Sequence, residues 1–194
     1  MATRKQESKA KSGNDGMDAI ELLKHDHDTV SKMFEQFESA DTDRKFELAA
    51  EICHALAVHA TIEEEIFYPH VREAIDAEGM MLEAEIEHDS IKQLIERVQE
   101  GEIDEIQLSA MIKVMQEYVS HHVNEEQRKM FPRVKRADLD LDAIGRELKE
   151  RKIELESELA SAVGDTTEDD DEDKGIRGGR SRGGMAARDD EDDQ

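Results

Sequence analysis

The sequence predicts an all-α protein: a four-helix up-down bundle with a pseudo-twofold internal duplication, an additional C-terminal helix and disordered tails. Three observations lead there. Apolar residues recur every three or four positions through four successive segments, the period of one buried helix face. The 194-residue chain is 39% charged with only two prolines and two tyrosines, a composition of long solvated helices rather than of sheet. The second half also repeats the first: His59, Glu63 and Pro69 stand 63 residues before His122, Glu126 and Pro132, and His27 stands 61 before His88. Two helical hairpins related in this way pair into a four-helix bundle.

Residues 1–16 are polar and without periodicity, and are read as disordered. Asp18, or Asp15 before it, offers an N-cap to a first helix whose buried stripe is Ile20, Leu23, His27, Val30, Phe34 and Phe37. Asp41-Thr42-Asp43 breaks the chain and caps a second helix with Ile52, Leu56, His59, Glu63, Ile66 and His70 on one face. Pro69 has no N–H to donate and crowds the Glu65 carbonyl, which predicts a kink. Gly79 ends this helix or starts the next turn. The third helix carries Met81, Ala84, His88, Ile91, Ile95 and Val98 and stops at Gly101. The fourth carries Leu108, Met111, Met115, Val119, His122, Glu126 and Met130, and kinks or ends at Pro132.

These four helices make the predicted bundle, residues 17–136. An additional helix is assigned to 137–163, with Leu141, Ile144, Leu148, Leu155 and Leu159 near heptad spacing. It is expected to pack on the bundle, with pairing to a second copy as the alternative. Residues 164–194 set acidic blocks around a Gly and Arg stretch and read as a disordered tail. Arg-Gly-Gly segments can contact single-stranded RNA, but the acidic runs compete for the arginines from Arg177 to Arg188.

A net charge of −24 repels nucleic-acid phosphate and argues against a nucleic-acid partner. No run of about 20 apolar residues is present to span a membrane, and the N-terminus lacks a secretory apolar core. A lone cysteine, Cys53, forms no internal disulfide and suits a reducing compartment. It falls off the apolar stripe and reads as an ordinary helix-flank residue. The expectation is a cytoplasmic protein.

The chemistry lies in polar residues set into apolar stripes. His59 and Glu63 sit one turn apart on one face, and His122 and Glu126 repeat the spacing. A buried, unpaired carboxylate costs several kcal/mol or takes up a proton, and no Lys or Arg shares either stripe, so a cation must come from elsewhere. Four imidazoles and two carboxylates exceed a tetrahedral zinc site. They suit two first-row transition metals, each with two histidines, bridged by both glutamates and open to water, oxygen or another small ligand. Iron is favoured, then manganese; calcium and magnesium prefer oxygen ligands. His25, His54, His70 and His121 are set aside: the first three by angle or distance from the stripe site, the last by its angle to His122. A ferritin-like di-iron bundle is excluded, because its Glu-x-x-His signature appears once, at Glu85 to His88, and not twice.

The segments LLKHDHDTVSKMFEQFE, HATIEEEIFYPHVREA, EIEHDSIKQLI and HHVNEEQRKMFPRV resemble the hemerythrin-like family, the HHE cation-binding domain, over about Asp18 to Arg136. The resemblance implies a non-haem di-iron centre of two iron ions, with manganese or zinc as substitutes. It implies the ligands His27, His59, Glu63, His88, His122 and Glu126, with Glu63 and Glu126 bridging. The oxygen-carrying hemerythrins have a second histidine one turn beyond the third-helix ligand, where this chain has Lys92. That departure implies a more open centre that reacts with a small diatomic or peroxide ligand, or holds iron, rather than carrying oxygen reversibly. The alternative is a non-catalytic iron or oxygen sensor whose fold responds to metal. Tyr68 and Tyr118, about one residue off the ligand stripe, are expected to pack, with tuning or protecting the site as the alternative. Oligomeric state is left open.

Overall fold

The computed structural model describes residues 16–165, and side chains as far as Glu158. The segments expected to be disordered at both ends lie outside the described residues, apart from their boundary positions. Asp15, the Leu159 side chain and Arg177 to Arg188 also lie outside. Among the described residues the secondary structure is helical throughout, and no helix is long and apolar enough to cross a membrane.

Helix α1 (Ala19–Ser39) starts at Asp18, whose carboxylate accepts from the Glu21 N–H while Glu21 accepts from that of Asp18. Each side chain thus satisfies an orphan donor of the first turn. Asp41 caps α2 (Thr42–Ile62). Asp104 and Gln107 form the reciprocal cap of α5 (Glu105–Glu125), and Gly101 closes α4 (Glu78–Glu100) before it.

The expected proline kinks take a particular form. Helix α2 passes into a π turn, Glu63–Phe67, and continues as α3 (Tyr68–Ala74); α5 passes into a second, Glu126–Met130, and continues as α6 (Phe131–Val134). In each, the glutamate carbonyl accepts from the N–H five residues on, that of Tyr68 or Phe131. The next residue is the proline, which has no N–H to keep the regular ladder going. The wider turn takes up one extra residue and rotates the chain beyond it. Phe67, Tyr68 and Val71 are therefore buried, while Ile66 and His70, placed on the buried stripe by regular spacing, are only half-buried.

Helix α7 (Leu141–Asp165) packs along α1 and α2 and buries Ile144 and Leu148 against the bundle, the first of the two expectations for it. Gly145 lets it come close: a Cβ there would lie 2.6 Å from the Met17 carbonyl oxygen. The core forms two apolar clusters. One gathers Leu23, Ile62, Phe67, Met81 and Leu148, the other Val30, Leu56, Ile91, Ile112 and Val119. On each helix the predicted polar residue falls between them. Cys53, expected on a helix flank, is fully buried in the second cluster.

Candidate metal centre

Among the described residues the buried polar side chains are the six predicted ones, His27, His59, Glu63, His88, His122 and Glu126, together with Asp26. The six converge. Nε2 of His27 lies 3.0 Å from Nε2 of His59, and Nε2 of His88 lies 3.2 Å from that of His122. The carboxylates tie these pairs together. Glu63 Oε2 is 3.3 Å from His59 and 3.4 Å from His88, and Glu126 Oε2 is 3.4 Å from His27 and 3.6 Å from His122. Each glutamate thus reaches both pairs, and Glu63 Oε2 also lies 3.8 Å from His122.

Two donor groups result, His27, His59, Glu63 and Glu126, and Glu63, His88 and His122, each with its donor atoms within 4.8 Å of one another. The donors fit a pair of cations. Two ligand atoms each about 2.1 Å from one ion at right angles stand about 3 Å apart, the separation within each histidine pair. Glu63 Oε1 and Glu126 Oε2 are buried without a hydrogen-bond partner, and orphaned carboxylate oxygens of this kind call for a positive charge.

A second ring of side chains faces the outer nitrogens of the imidazoles. Asp26 Oδ2 lies 3.6 Å from Nδ1 of His59, Glu64 2.9 Å from Nδ1 of His88, Glu87 2.8 Å from Nδ1 of His122, and the Gln127 amide 3.3 Å from Nδ1 of His27. Each partner is the sequence neighbour of a predicted ligand and serves a histidine on a different helix. Carboxylates so placed hold the ring proton on Nδ1 and leave Nε2 free to bind. Spacing alone did not identify them, although their adjacency to ligands was there to be read. Lys92 is bonded to Glu64 at 2.6 Å, and His121 lies 3.3 Å from Glu87. His25 is exposed, His54 is half-buried, and His70 pairs with Glu147, so none of these three joins the cluster.

Tyr68 departs from the packing role expected of it. The π turn swings its hydroxyl to 3.2 Å from both Glu63 Oε2 and Glu126 Oε1, where it donates to one or the other. Tyr118 stays half-exposed. Burial and both carboxylates hold the Tyr68 hydroxyl well above the usual phenol range.

Burial and the facing Glu63 carboxylate push Glu126 up to about 8. Burial would raise Glu63 too, but His59, His122 and His88 draw it well below the usual carboxylate range. The two carboxyls hold a proton between them near neutrality, as close like charges do. Burial and the neighbouring His59 bring His27 down to about 3. Burial opposes protonation of His122 as well, yet hydrogen bonds to Glu63 and Glu87 carry it up to about 10.

A cavity of about 20 Å³ lies against the four imidazoles and Asp26, its other walls the apolar Val30, Leu56, Ala60, Ile91, Val119 and Val123. That volume admits one water-sized ligand, and its apolar walls favour a neutral one.

The family model of the hemerythrin HHE cation-binding domain matches residues 18–134. A curated relative from Nostoc sp., named a DNA nickase, is 25% identical over 125 residues, which are 64% of this chain and 35% of that protein. The chain thus spans about a third of that relative's length. The crystal structure of a hemerythrin HHE cation-binding domain-containing protein from Mycobacterium kansasii superposes with a TM-score of 0.65 at 19% identity, over 78% of this chain and 94% of that one. The likeness is one of fold.

Proposed function

The chain belongs to the hemerythrin HHE cation-binding family, and from that premise we propose that it is a non-haem di-iron protein that binds or reacts with dioxygen, peroxide or nitric oxide. The observation that carries this reading is the double reach of the carboxylates, each of which touches histidines of both pairs. His27 and His59 would hold one iron and His88 and His122 the other, with Glu63 and Glu126 shared. Nitrogen and carboxylate donors in this ratio favour iron, with manganese or zinc as substitutes. Bound there, iron supplies Lewis acidity and electrons to a small ligand.

The chain's own groups do the rest. Asp26, Glu64 and Glu87 orient three of the imidazoles, and the apolar cavity admits a small neutral ligand beside them. Tyr68 keeps a proton on its hydroxyl and offers it to a carboxylate oxygen. Lys92 is engaged with Glu64 and turned away from the centre, which supports an open site and not a fifth histidine ligand. A cytoplasmic setting suits the single buried thiol.

The test is metal content per chain and the optical spectrum of the purified protein, beside Glu63→Ala and Glu126→Ala. Two irons and an oxo-bridge charge-transfer band, lost in both variants, are expected. One zinc, or no metal, with both variants folded as before would refute the paired centre. Peroxide and nitric oxide kinetics on the loaded protein then separate reaction from a second reading, a non-catalytic iron or oxygen sensor. That reading is favoured by two buried carboxyls that, without a cation between them, must share a proton or repel. The name of the Nostoc relative points to DNA chemistry, but a net charge of −24 opposes a phosphate backbone, so a nucleic-acid partner is no part of the proposal. Nicking of a supercoiled plasmid by the loaded protein would overturn that exclusion.

A further inference from the structure

Helix α7 lies beyond the residues matched to the family, 18–134, and yet it reaches the candidate centre. We propose that α7 is a latch on the metal centre, with Lys152 a positioning residue that acts on His59 through Asp26. The inference rests on the di-metal reading above.

The connection is a chain of three side chains. Lys152 Nζ lies 2.5 Å from Asp26 Oδ1, and Asp26 Oδ2 faces His59 Nδ1 at 3.6 Å. Neither of these last two atoms has a hydrogen-bond partner, and Asp26 is buried. For His59 to give Nε2 to a cation, its proton must stay on Nδ1, and the acceptor aimed at that proton is Asp26. A carboxylate buried there is costly without a counter-charge, and Lys152 is the counter-charge in contact with it. Of the other outer partners, Glu64 is backed by Lys92 and Glu87 by His121, both within residues 18–134. His59 alone among the four draws its support from α7.

Two further ties run along the same helix. Arg151 pairs with Glu65 at 2.8 Å and Glu147 with His70 at 3.4 Å, so α7 also grips the π turn that starts at Glu63 and the helix after it. Metal at the centre would fix His59 and Glu63; α7 backs His59 through Asp26 and holds the π turn of Glu63 through Glu65. By linkage, whatever docked α7 adds to metal affinity, bound metal adds to α7 docking.

The experiment uses the full chain, with iron(II) under anaerobic conditions in competition with a chelator. Lys152→Met and Asp26→Asn are each expected to weaken iron retention about 10- to 100-fold, the range of lost outer-shell support. The double variant should be no weaker than the worse single one, because both break one chain, and Lys152→Arg should restore most of the affinity. Arg151→Met, which loses a contact of α7 without touching Asp26, should stay within about threefold of the unaltered chain, below the outer-shell range. Hydrogen exchange gives the converse: iron slows exchange across α7 in the unaltered chain and does so far less in Lys152→Met. Equal losses in Lys152→Met and Arg151→Met would overturn the role of Lys152. Unchanged iron affinity in Lys152→Met, with α7 exchange indifferent to iron, would overturn the latch and leave the centre standing. No iron bound by the unaltered chain would overturn the di-metal reading and the latch together.

Discussion

Replacing Glu126 by Gln separates the cost of the centre to the fold from its use. Glu126 is fully buried beside Glu63, and its carboxyl is carried from 4.5 to about 8 by burial and by that neighbour. At roughly 1.4 kcal/mol per pH unit, its ionised form costs the metal-stripped chain on the order of 4 to 5 kcal/mol. The sign follows from linkage. A carboxyl raised in the folded state keeps its proton longer than in the unfolded state, so its contribution is fully present below pH 4.5 and is lost as pH rises through 8. Gln has the shape of the protonated acid and does not titrate. In metal-stripped protein Glu126→Gln should therefore change the melting temperature little at pH 5 and raise it at pH 9, by about 8 to 20 °C at 2 to 4 °C per kcal/mol. The same variant should fail to retain iron, since an amide is a poor bridging ligand. Circular-dichroism melts at the two pH values, with iron content on the same preparations, make the assay. An equal shift at both pH values, a loss at pH 9, or iron held as before would refute the reasoning.

Tyr68→Phe leaves a carboxylate oxygen without its donor and should destabilise metal-stripped protein by about 1 to 3 kcal/mol, with iron content unchanged; a melt that does not move would count against the hydroxyl's role. Cys53 is buried, and burial pushes its thiol up to about 11, so a maleimide at pH 7.5 should spare the native chain and label one thiol in denaturant. Labelling at equal rates in both would contradict the burial. Gln127→Glu gives His27 the carboxylate partner that His88 and His122 have, and should slow iron loss to a chelator about tenfold; an unchanged rate would mean that the Gln127 contact does not govern His27.

The helices and the six converging residues were legible because both rest on periodicity. A residue's place on a straight helix follows from its number, and all four ligand histidines lie on regular α-helix. Tyr68 was hidden for the same reason. Its side chain faces inward only because the π turn takes up one residue more than an α turn, and a count at 3.6 residues per turn misplaces everything from Ile66 to His70. The sign of that turn was present twice, a glutamate on the stripe with a proline six residues on, at Glu63 and Pro69 and at Glu126 and Pro132. The outer partners were hidden differently. Asp26, Glu64, Glu87 and Gln127 lie about 100° round the helix from the ligands beside them, which reads as an ordinary helix flank. Only the arrangement of four helices turns that flank toward the next helix's histidine. No periodicity on α7 announces that Lys152 meets Asp26, since the two are 126 residues apart.

The duplication also makes its own departures readable. Asp26 and Glu87 each precede a ligand histidine and serve the histidine of the next helix, and Glu64 and Gln127 each follow a ligand glutamate and do likewise. Three of these four are carboxylates and the fourth is an amide. A carboxylate only accepts, so it fixes the proton of its imidazole on Nδ1. An amide donates from one end and accepts from the other, so it supports either tautomer of His27. Burial works against protonation of His27, His88 and His122 alike; hydrogen bonds to carboxylates reverse it at His88 and His122, and the neighbouring His59 deepens it at His27. Of the four imidazoles, His27 is thus the one whose Nε2 is held least firmly free for a cation. It belongs to the same pair as His59, the histidine supported from α7. One half of the centre is held by carboxylates internal to the bundle, and the other by an amide and by a helix that lies outside the matched family residues. Any response of this chain to the loss or gain of a cation should therefore start at His27 and His59.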